Sequence, residues 1–260
     1  MYRPGVIATL VGLGVLGGLA IAGHLPGRMI SGDILMPHAR VSQPIRSRGF
    51  SADTRHAMAG ATTAVRYPFA PTWLPSGSLA LDPTIIGDAA APSYSVRVMS
   101  HGKTFATFGA VQYKSLAQAA RAIHSNLYGA RASTPRVYSI RLAGTMKTVT
   151  QRTWKNGPNL SRAGLSWQDS HWLVTVLDQG RQTVPGLIAN AVAHAVAGFM
   201  NKTPKANGTI LVTYDNNSIA EISVNFDSKA TDYFVNTYST VGHPLTVALN
   251  LAASLKPYQP

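Results

Sequence analysis

Cysteine is absent from the 260 residues, and its absence removes several classes of protein at once. No disulfide scaffold, thiolate nucleophile, zinc finger or iron–sulfur site can be built, and no lipid-modified N-terminal cysteine is possible. The redox compartment is therefore not legible from thiol usage. Acidic residues are nearly as scarce: ten Asp and Glu stand against 23 Lys and Arg, and Glu221 is the sole glutamate. Charged residues make up 13% of the chain, about half the usual ~25% of soluble domains.

The formal net charge of +13 thus comes from missing carboxylates and not from lysine clusters. Nucleic-acid binders carry their basic residues as a patch or stripe. Here Arg40, Arg46, Arg48, Arg55, Arg66, Arg97, Arg121, Arg131, Arg136, Arg141 and Arg152 stand singly. Nucleic acid is accordingly a poor match, and an anionic envelope polymer or lipid surface a better one. A surface of Ser, Thr, Asn and Gln with few carboxylates suits an exported protein facing acid, because few groups can destabilise the fold on protonation. A biased genome composition would leave the same pattern.

Catalytic signatures are missing too. The chain has no G-x-S-x-G, no H-E-x-x-H, no phosphate-binding G-x-x-x-x-G-K-[ST] and no dinucleotide fingerprint. No pair of histidines among His101, His124, His171 and His194 has metal-ligand spacing. The expectation is a protein that is not an enzyme and that carries no cofactor or metal; the lesser alternative is a hydrolase with an unobvious Asp/His site around Asp169 and His171. One constellation stands out as a candidate ligand site: Trp167, Asp169, His171 and Trp172. In an unbroken strand, residues 167, 169 and 171 share a face. Ordinary roles for the same residues are core packing for the tryptophans and backbone bonding at turns for Asp169 and Asp227.

What the chain does possess begins with a hydrophobic run. Gly5 to Gly23 reads GVIATLVGLGVLGGLAIAG, without a charge, between Arg3 and Arg28. As a helix it spans roughly 28 Å, about the hydrocarbon thickness of a bilayer. Its partner would be the lipid bilayer through residues 5–23, as a retained transmembrane anchor. The Gly14, Gly18, Ala22 stripe would let two copies pack closely as a homodimer. The alternative is a signal segment cleaved near Ala22, which gives a secreted protein. Arg40, Arg46 and Arg48 after the run lean against export by the positive-inside rule. A short tail, one span and a large polar body is nevertheless the usual signal-anchor layout, and it places the body on the extracytoplasmic face.

Residues 24–65 hold Pro26, Pro37 and Pro44 with no sustained periodicity, and read as a flexible linker. The body from Arg66 repeats strands followed by a helix. Strands are expected at Tyr94–Val98 and Phe105–Tyr113, then a helix capped by Ser115. A second unit has strands at Val137–Leu142, Thr148–Trp154 and Leu165–Leu177, the last broken at Asp169-Ser170, then a helix at Val184–Phe199. A third has Thr209–Tyr214, Ile219–Phe226, Asp232–Tyr238 and a helix from Pro244 to Leu255. Residues 201–260 look like a loose repeat of 137–200, with Trp167 matched to Phe226 and Trp172 to Tyr233. The expected class is α+β, antiparallel sheet with helices packed on one face, as units 66–200 and 201–260.

The order Trp73-Leu-Pro-Ser-Gly77, strands, Ala143-Gly144, Leu165-Ser-Trp167, Trp172-Leu-Val174 and a helix resembles certain uncharacterised extracytoplasmic domains of membrane-anchored proteins of Gram-positive bacteria. These are distantly similar to lipoprotein-carrier and sigma-factor-regulator sheets. The resemblance covers about Tyr67 to Phe199. It implies a binding, sensing or envelope-structural role without catalysis, and it assigns no functional residue.

The anchor reading makes a direct prediction. Membrane fractionation followed by intact mass should find the full chain with the bilayer, and external protease on intact cells should cut away the body. A chain beginning near Gly23 in the medium would replace the anchor with a signal segment, and full protection would place the body inside.

Overall fold

The computed structural model describes residues 45–46, 49–76, 79–86, 91–125, 134–155, 161–181, 183–200, 207–215, 218–239 and 242–259. The expected span at 5–23, its Gly14, Gly18 and Ala22 stripe, the cleavage site near Ala22 and the linker up to residue 44 lie outside them. Among the described residues no helix is long and apolar enough to cross a membrane.

The body is an α+β structure built on one large, mostly antiparallel sheet with helices packed on it. Chain order begins with β1 (Ile45–Arg46), α1 (Ala52–Met58), α2 (Ala61–Ala64) and β2 (Phe69–Pro71). A meander follows: β3 (Ala80–Ile86), β4 (Ser93–Ser100) and β5 (Lys103–Gln112), then α3 (Leu116–Ser125). Next come β6 (Arg136–Leu142), β7 (Thr145–Lys155), β8 (Ser161–Asp169), β9 (Trp172–Gln179) and α4 (Gly186–Met200). The chain finishes with β10 (Gly208–Asp215), β11 (Ser218–Ser228), β12 (Thr231–Tyr238), α5 (Pro244–Ser254) and β13 (Leu255–Gln259).

The large sheet runs β3-β4-β5-β12-β11-β10-β9-β8-β7-β6. Its strands are antiparallel neighbours except at β9 and β10, which pair parallel from Trp172 opposite Gly208 to Gln179 opposite Asp215. A parallel neighbour needs a crossover, and α4 supplies it. The expected division at residue 200 therefore does not separate two sheets. β10 joins β9 on one side of that boundary, and β12 returns to pair with β5.

The hairpin-then-helix pattern recurs as expected. β4–β5–α3, β8–β9–α4 and β11–β12–α5 each follow it. The internal match needs a shift, however. Trp167 and Phe226 do hold equivalent places, but Trp172 lies opposite Asp169 as Thr231 lies opposite Ser228. The equivalent of Tyr233 is Val174. Hairpin turns with positive φ at both central residues, the I′ pattern that matches strand twist, occur at His101-Gly102, Ala143-Gly144 and Lys229-Ala230.

Two stretches depart from expectation. The end of the presumed linker is folded: Ser51 accepts a hydrogen bond from the Thr54 amide and caps α1, and Phe50, Ala57, Met58, Ala61 and Val65 enter the core. Small residues there pack closely against the sheet, which a composition reading takes for flexibility. Edge strand β3 was not expected, because Pro83 interrupts its pattern; proline is tolerated at an edge where no ladder donor is needed. A second small sheet sets β13 between β1, parallel, and β2, antiparallel. It ties the end of the chain to the start of the body, with Tyr258 against Phe50 at 5.2 Å between ring centroids.

One face of the large sheet carries the core. Tyr94, Val96, Phe108, Tyr233, Val235, Val224, Phe226, Ile210, Val174, Leu165 and Trp167 lie on it, buried with residues of α1, α2, α4 and α5. An aromatic cluster sits at one end, with Phe69 and Tyr233 rings 4.2 Å apart, Phe226 and Tyr233 5.3 Å, and Trp172 and Phe199 5.2 Å.

On the other face, glycines make room for rings from the next strand. A Cβ on Gly109 would meet the Tyr94 carbonyl and stand 2.6 Å from Phe234 Cζ, and one on Gly164 would stand 2.7 Å from Trp154 Cη2. Gly109→Ala and Gly164→Ala should each destabilise by about 1–3 kcal/mol through overpacking. Gly102→Ala, in open space at φ 72°, should cost about 1 kcal/mol from backbone strain alone. Urea melts of the three variants check the assignment; an unperturbed Gly109→Ala would mean that the Phe234 ring does not lie there.

Candidate functional site

The constellation singled out in the sequence does not form an exposed patch. Trp167 and Trp172 are buried in the core, 2% and 4% exposed. The strand face that would align 167, 169 and 171 is interrupted, because β8 ends at Asp169 and Ser170 turns the chain at φ 53°. His171 sits exposed in that turn. Asp169 is engaged by Lys147, Nζ to Oδ1 at 3.1 Å, with both side chains largely shielded. A two-residue hairpin thus separates what an unbroken strand would have gathered.

The more informative surface is the face of the sheet opposite the core. Strand alternation sends every second side chain there, and nearest-neighbour pairing lines them up in rows. One row is Gly109, Phe234, Asn225, Thr209, Leu173 and Gln168, running across β5, β12, β11, β10, β9 and β8. The next is Thr107, Asn236, Ser223, Leu211, Thr175, Ser166 and Thr150. Nearer the β11–β12 turn, Asp227 stands directly opposite Asp232. This face is polar yet shielded. Thr175 is fully buried, Thr209 and Asp232 are almost so, and Asn225, Phe234, Asn236 and Ser223 are half-buried. Helix α3 crosses the same strands, β10, β11 and β12.

Buried polar groups are normally hydrogen-bonded. Some here are: Ser166 and Thr175 hydroxyls share a bond at 3.0 Å, and the Asn225 amide donates to Ser223 Oγ at 3.0 Å. Others are not. Asp232 Oδ1, Asn236 Oδ1 and Thr209 Oγ1 are shielded and have no hydrogen-bond partner among the described residues. All three lie on this face, on β12 and β10, around Phe234 and Asn225.

Burial, and secondarily the neighbouring Asp227, pushes the Asp232 carboxyl up to about 8. Close carboxylates cannot both ionise cheaply in a shielded place, so near neutral pH the pair holds one proton. Burial and Asp232 together push the Tyr113 hydroxyl up as well. The arrangement offers one acid O–H, an amide oxygen and a hydroxyl beside a half-buried ring. Among the described residues no group of three His, Cys, Asp or Glu could hold a metal.

Sequence reading passed over these residues, apart from Asp227 as a turn aspartate. The signal was nonetheless present. Ile222, Val224 and Phe226 alternate with Ser223, Asn225 and Asp227, and Tyr233 and Val235 alternate with Asp232, Phe234 and Asn236. Each strand announces a polar face; only the pairing brings the faces together.

The raised Asp232 acid sets a pH dependence. Between about pH 4 and 8 the folded protein keeps this proton while the unfolded chain releases it, so its contribution to stability is fully present below pH 4 and falls as pH rises through 8. Asp232→Asn should flatten that fall, leaving the variant more heat-stable than the parent at pH 9 and much closer to it at pH 5. Melting temperatures at the two pH values test it; parallel profiles would show that the carboxyl is not so burdened. No family model matches the chain, and neither does any curated protein or any solved structure.

Proposed function

We propose that this chain is a non-enzymatic binding module, anchored in the membrane through residues 5–23 and displayed on the extracytoplasmic face, whose ligand lies on the polar face of the large sheet. One observation carries the reading: in-register rows of shielded polar side chains with three unpaired hydrogen-bonding atoms, on the face that does not hold the main core. Leaving such groups unpaired costs about 1–3 kcal/mol each, a cost that the packing of this face does not itself repay. Helices α1, α2, α4 and α5 all serve the core on one face, whereas on the other only α3 crosses the sheet, over β10, β11 and β12.

The uncharged N-terminal run and the resemblance to extracytoplasmic domains support the location, and the Gly14, Gly18, Ala22 stripe would let two anchors meet. The secreted alternative, binding anionic wall polymer, uses the same charge but would place the contact on scattered arginines.

Hydroxyl-radical footprinting separates these. The full chain in phospholipid nanodiscs is oxidised with and without insoluble envelope fragments from a Gram-positive bacterium. The expected result is reduced labelling of Phe234, Tyr238 and Leu211, with exposed Leu187 and Trp73 unchanged. Protection confined to arginine-bearing surfaces, or none at all, would overturn the assignment.

A further inference from the structure

We propose that the corner of the body where the chain enters is a second docking surface, which holds anionic phospholipid headgroups against Arg66, Lys114 and Lys229. The source of those headgroups, the bilayer at residues 5–23, rests on the anchored reading above; the polar face takes no part. No run of basic residues marks this corner in the sequence, because the fold assembles it from three distant stretches. The Tyr67 ring is approached by two cations, with Lys229 Nζ 4.2 Å and Arg66 Cζ 5.3 Å from its centroid. The Tyr67 carbonyl accepts from the Tyr233 hydroxyl at 2.6 Å, and the Arg66 amide donates to Gln112 Oε1 at 2.8 Å. These bonds fix the segment on the neighbouring ends of β12 and β5. Lys114 follows at the same place, because the Tyr113 amide donates to the Ala230 carbonyl, next to Lys229, at 2.8 Å. Arg66, Lys114 and Lys229 are exposed, and none forms an ion pair with a carboxylate among the described residues. Leu116, two residues past Lys114, is 46% exposed.

Charge selects an anionic partner, and the point of chain entry selects the membrane. Asp227 and Asp232 are the nearby carboxylates, and with one proton between them they offset one of the three charges. Strand β1 pairs Ile45 with Tyr258, and the Tyr258 amide donates to the Pro68 carbonyl at 2.8 Å, one residue from Tyr67. The chain from the hydrophobic run therefore joins the body beside the basic corner. Fully extended, residues 24–44 reach at most about 75 Å, so the corner stays near the surface from which the body hangs. Such tethering makes docking intramolecular, and a few cations then suffice. A tyrosine ring and an exposed leucine among the cations suit the headgroup boundary, where amphipathic rings and apolar tips are favoured. A soluble polyanion would use the same charges but has no need of the apolar tip or of this place of entry.

The test is hydroxyl-radical labelling of the full chain in nanodiscs of phosphatidylcholine alone and of phosphatidylcholine mixed with phosphatidylglycerol. The anchor sits in both, so the readout is the corner and not membrane attachment. Tyr67 and Leu116 should be protected only in the mixed discs, and added salt should restore their labelling. Leu187, 87% exposed at the start of α4, should label equally in both. Lys114→Gln and Lys229→Gln should each lower the ratio of docked to undocked bodies about fivefold, with unchanged circular dichroism and melting. Lys229→Arg, which keeps the charge, should dock as the parent does. Equal labelling in the two discs, or protection that ignores both glutamine variants, would overturn the proposal while leaving the anchor in place. Protection of the corner by polyphosphate added to phosphatidylcholine discs, with none from phosphatidylglycerol, would overturn it in favour of a soluble polyanion. If the chain does not stay with the discs on gel filtration, the anchored reading fails, and the labelling is repeated with free phosphatidylglycerol vesicles. Salt-sensitive protection of Tyr67 there keeps the headgroup assignment; its absence ends both.

Discussion

Strand register is the constraint on which the rest of this structure depends. Side chains alternate with a period of two, so a one-residue slip between any two strands would exchange the apolar face for the polar one across that seam. Across the middle of the sheet the strands hold one alignment. Val96, Phe108, Val235, Val224, Ile210, Val174 and Trp167 form an unbroken apolar line from β4 to β8. Several devices fix it. Turns with positive φ at His101-Gly102, Ala143-Gly144 and Lys229-Ala230 set the hairpins, and irregularities at Val98/Met99 and Thr213/Tyr214 absorb local mismatch. Gly109 and Gly164 accept rings from adjacent strands in only one alignment. The Ala230 carbonyl accepts from the Tyr113 amide at 2.8 Å, which holds the β11–β12 turn against the end of β5.

The same alignment that assembles the core assembles the opposite face. Once Val224 and Val235 are paired inward, Asn225 must stand beside Phe234 and Asp227 beside Asp232 on the far side. The proposed site is thus not a local motif. It is a consequence of register, spread over β5, β12, β11 and β10, which come from widely separated parts of the sequence.

That origin explains what could be read in advance. The α+β class, most strands, the Ser115 cap and the three hairpin-plus-helix units follow from local periodicity and turn residues. Ser115 Oγ does accept from the Gln118 amide at 3.3 Å. Pairing order does not follow from such signals, because β12 meets β5 across more than a hundred intervening residues. The tryptophans misled for a related reason: Trp167 and Trp172 are eye-catching in sequence, but each sits at a core position of its strand. The short helices α1 and α2 were hidden by their small residues, whose burial depends on what they pack against.

Carboxylate placement sharpens the meaning of the polar face. The chain uses only ten acidic residues, and several of those described sit beside a cation. Asp82 pairs with Arg97, Asp169 with Lys147, and Asp178 lies 3.8 Å from Arg181. Asp53 occupies the first turn of α1, where a negative charge is favoured. Asp232 instead faces another aspartate, with burial as its main burden. A purely structural requirement at that position would be met more cheaply by asparagine, threonine or serine, all of which this chain uses freely on the same face. Retaining an acid there keeps a proton donor next to a ring and two unpaired oxygens. That combination costs the fold more than a neutral polar side chain at the same position would.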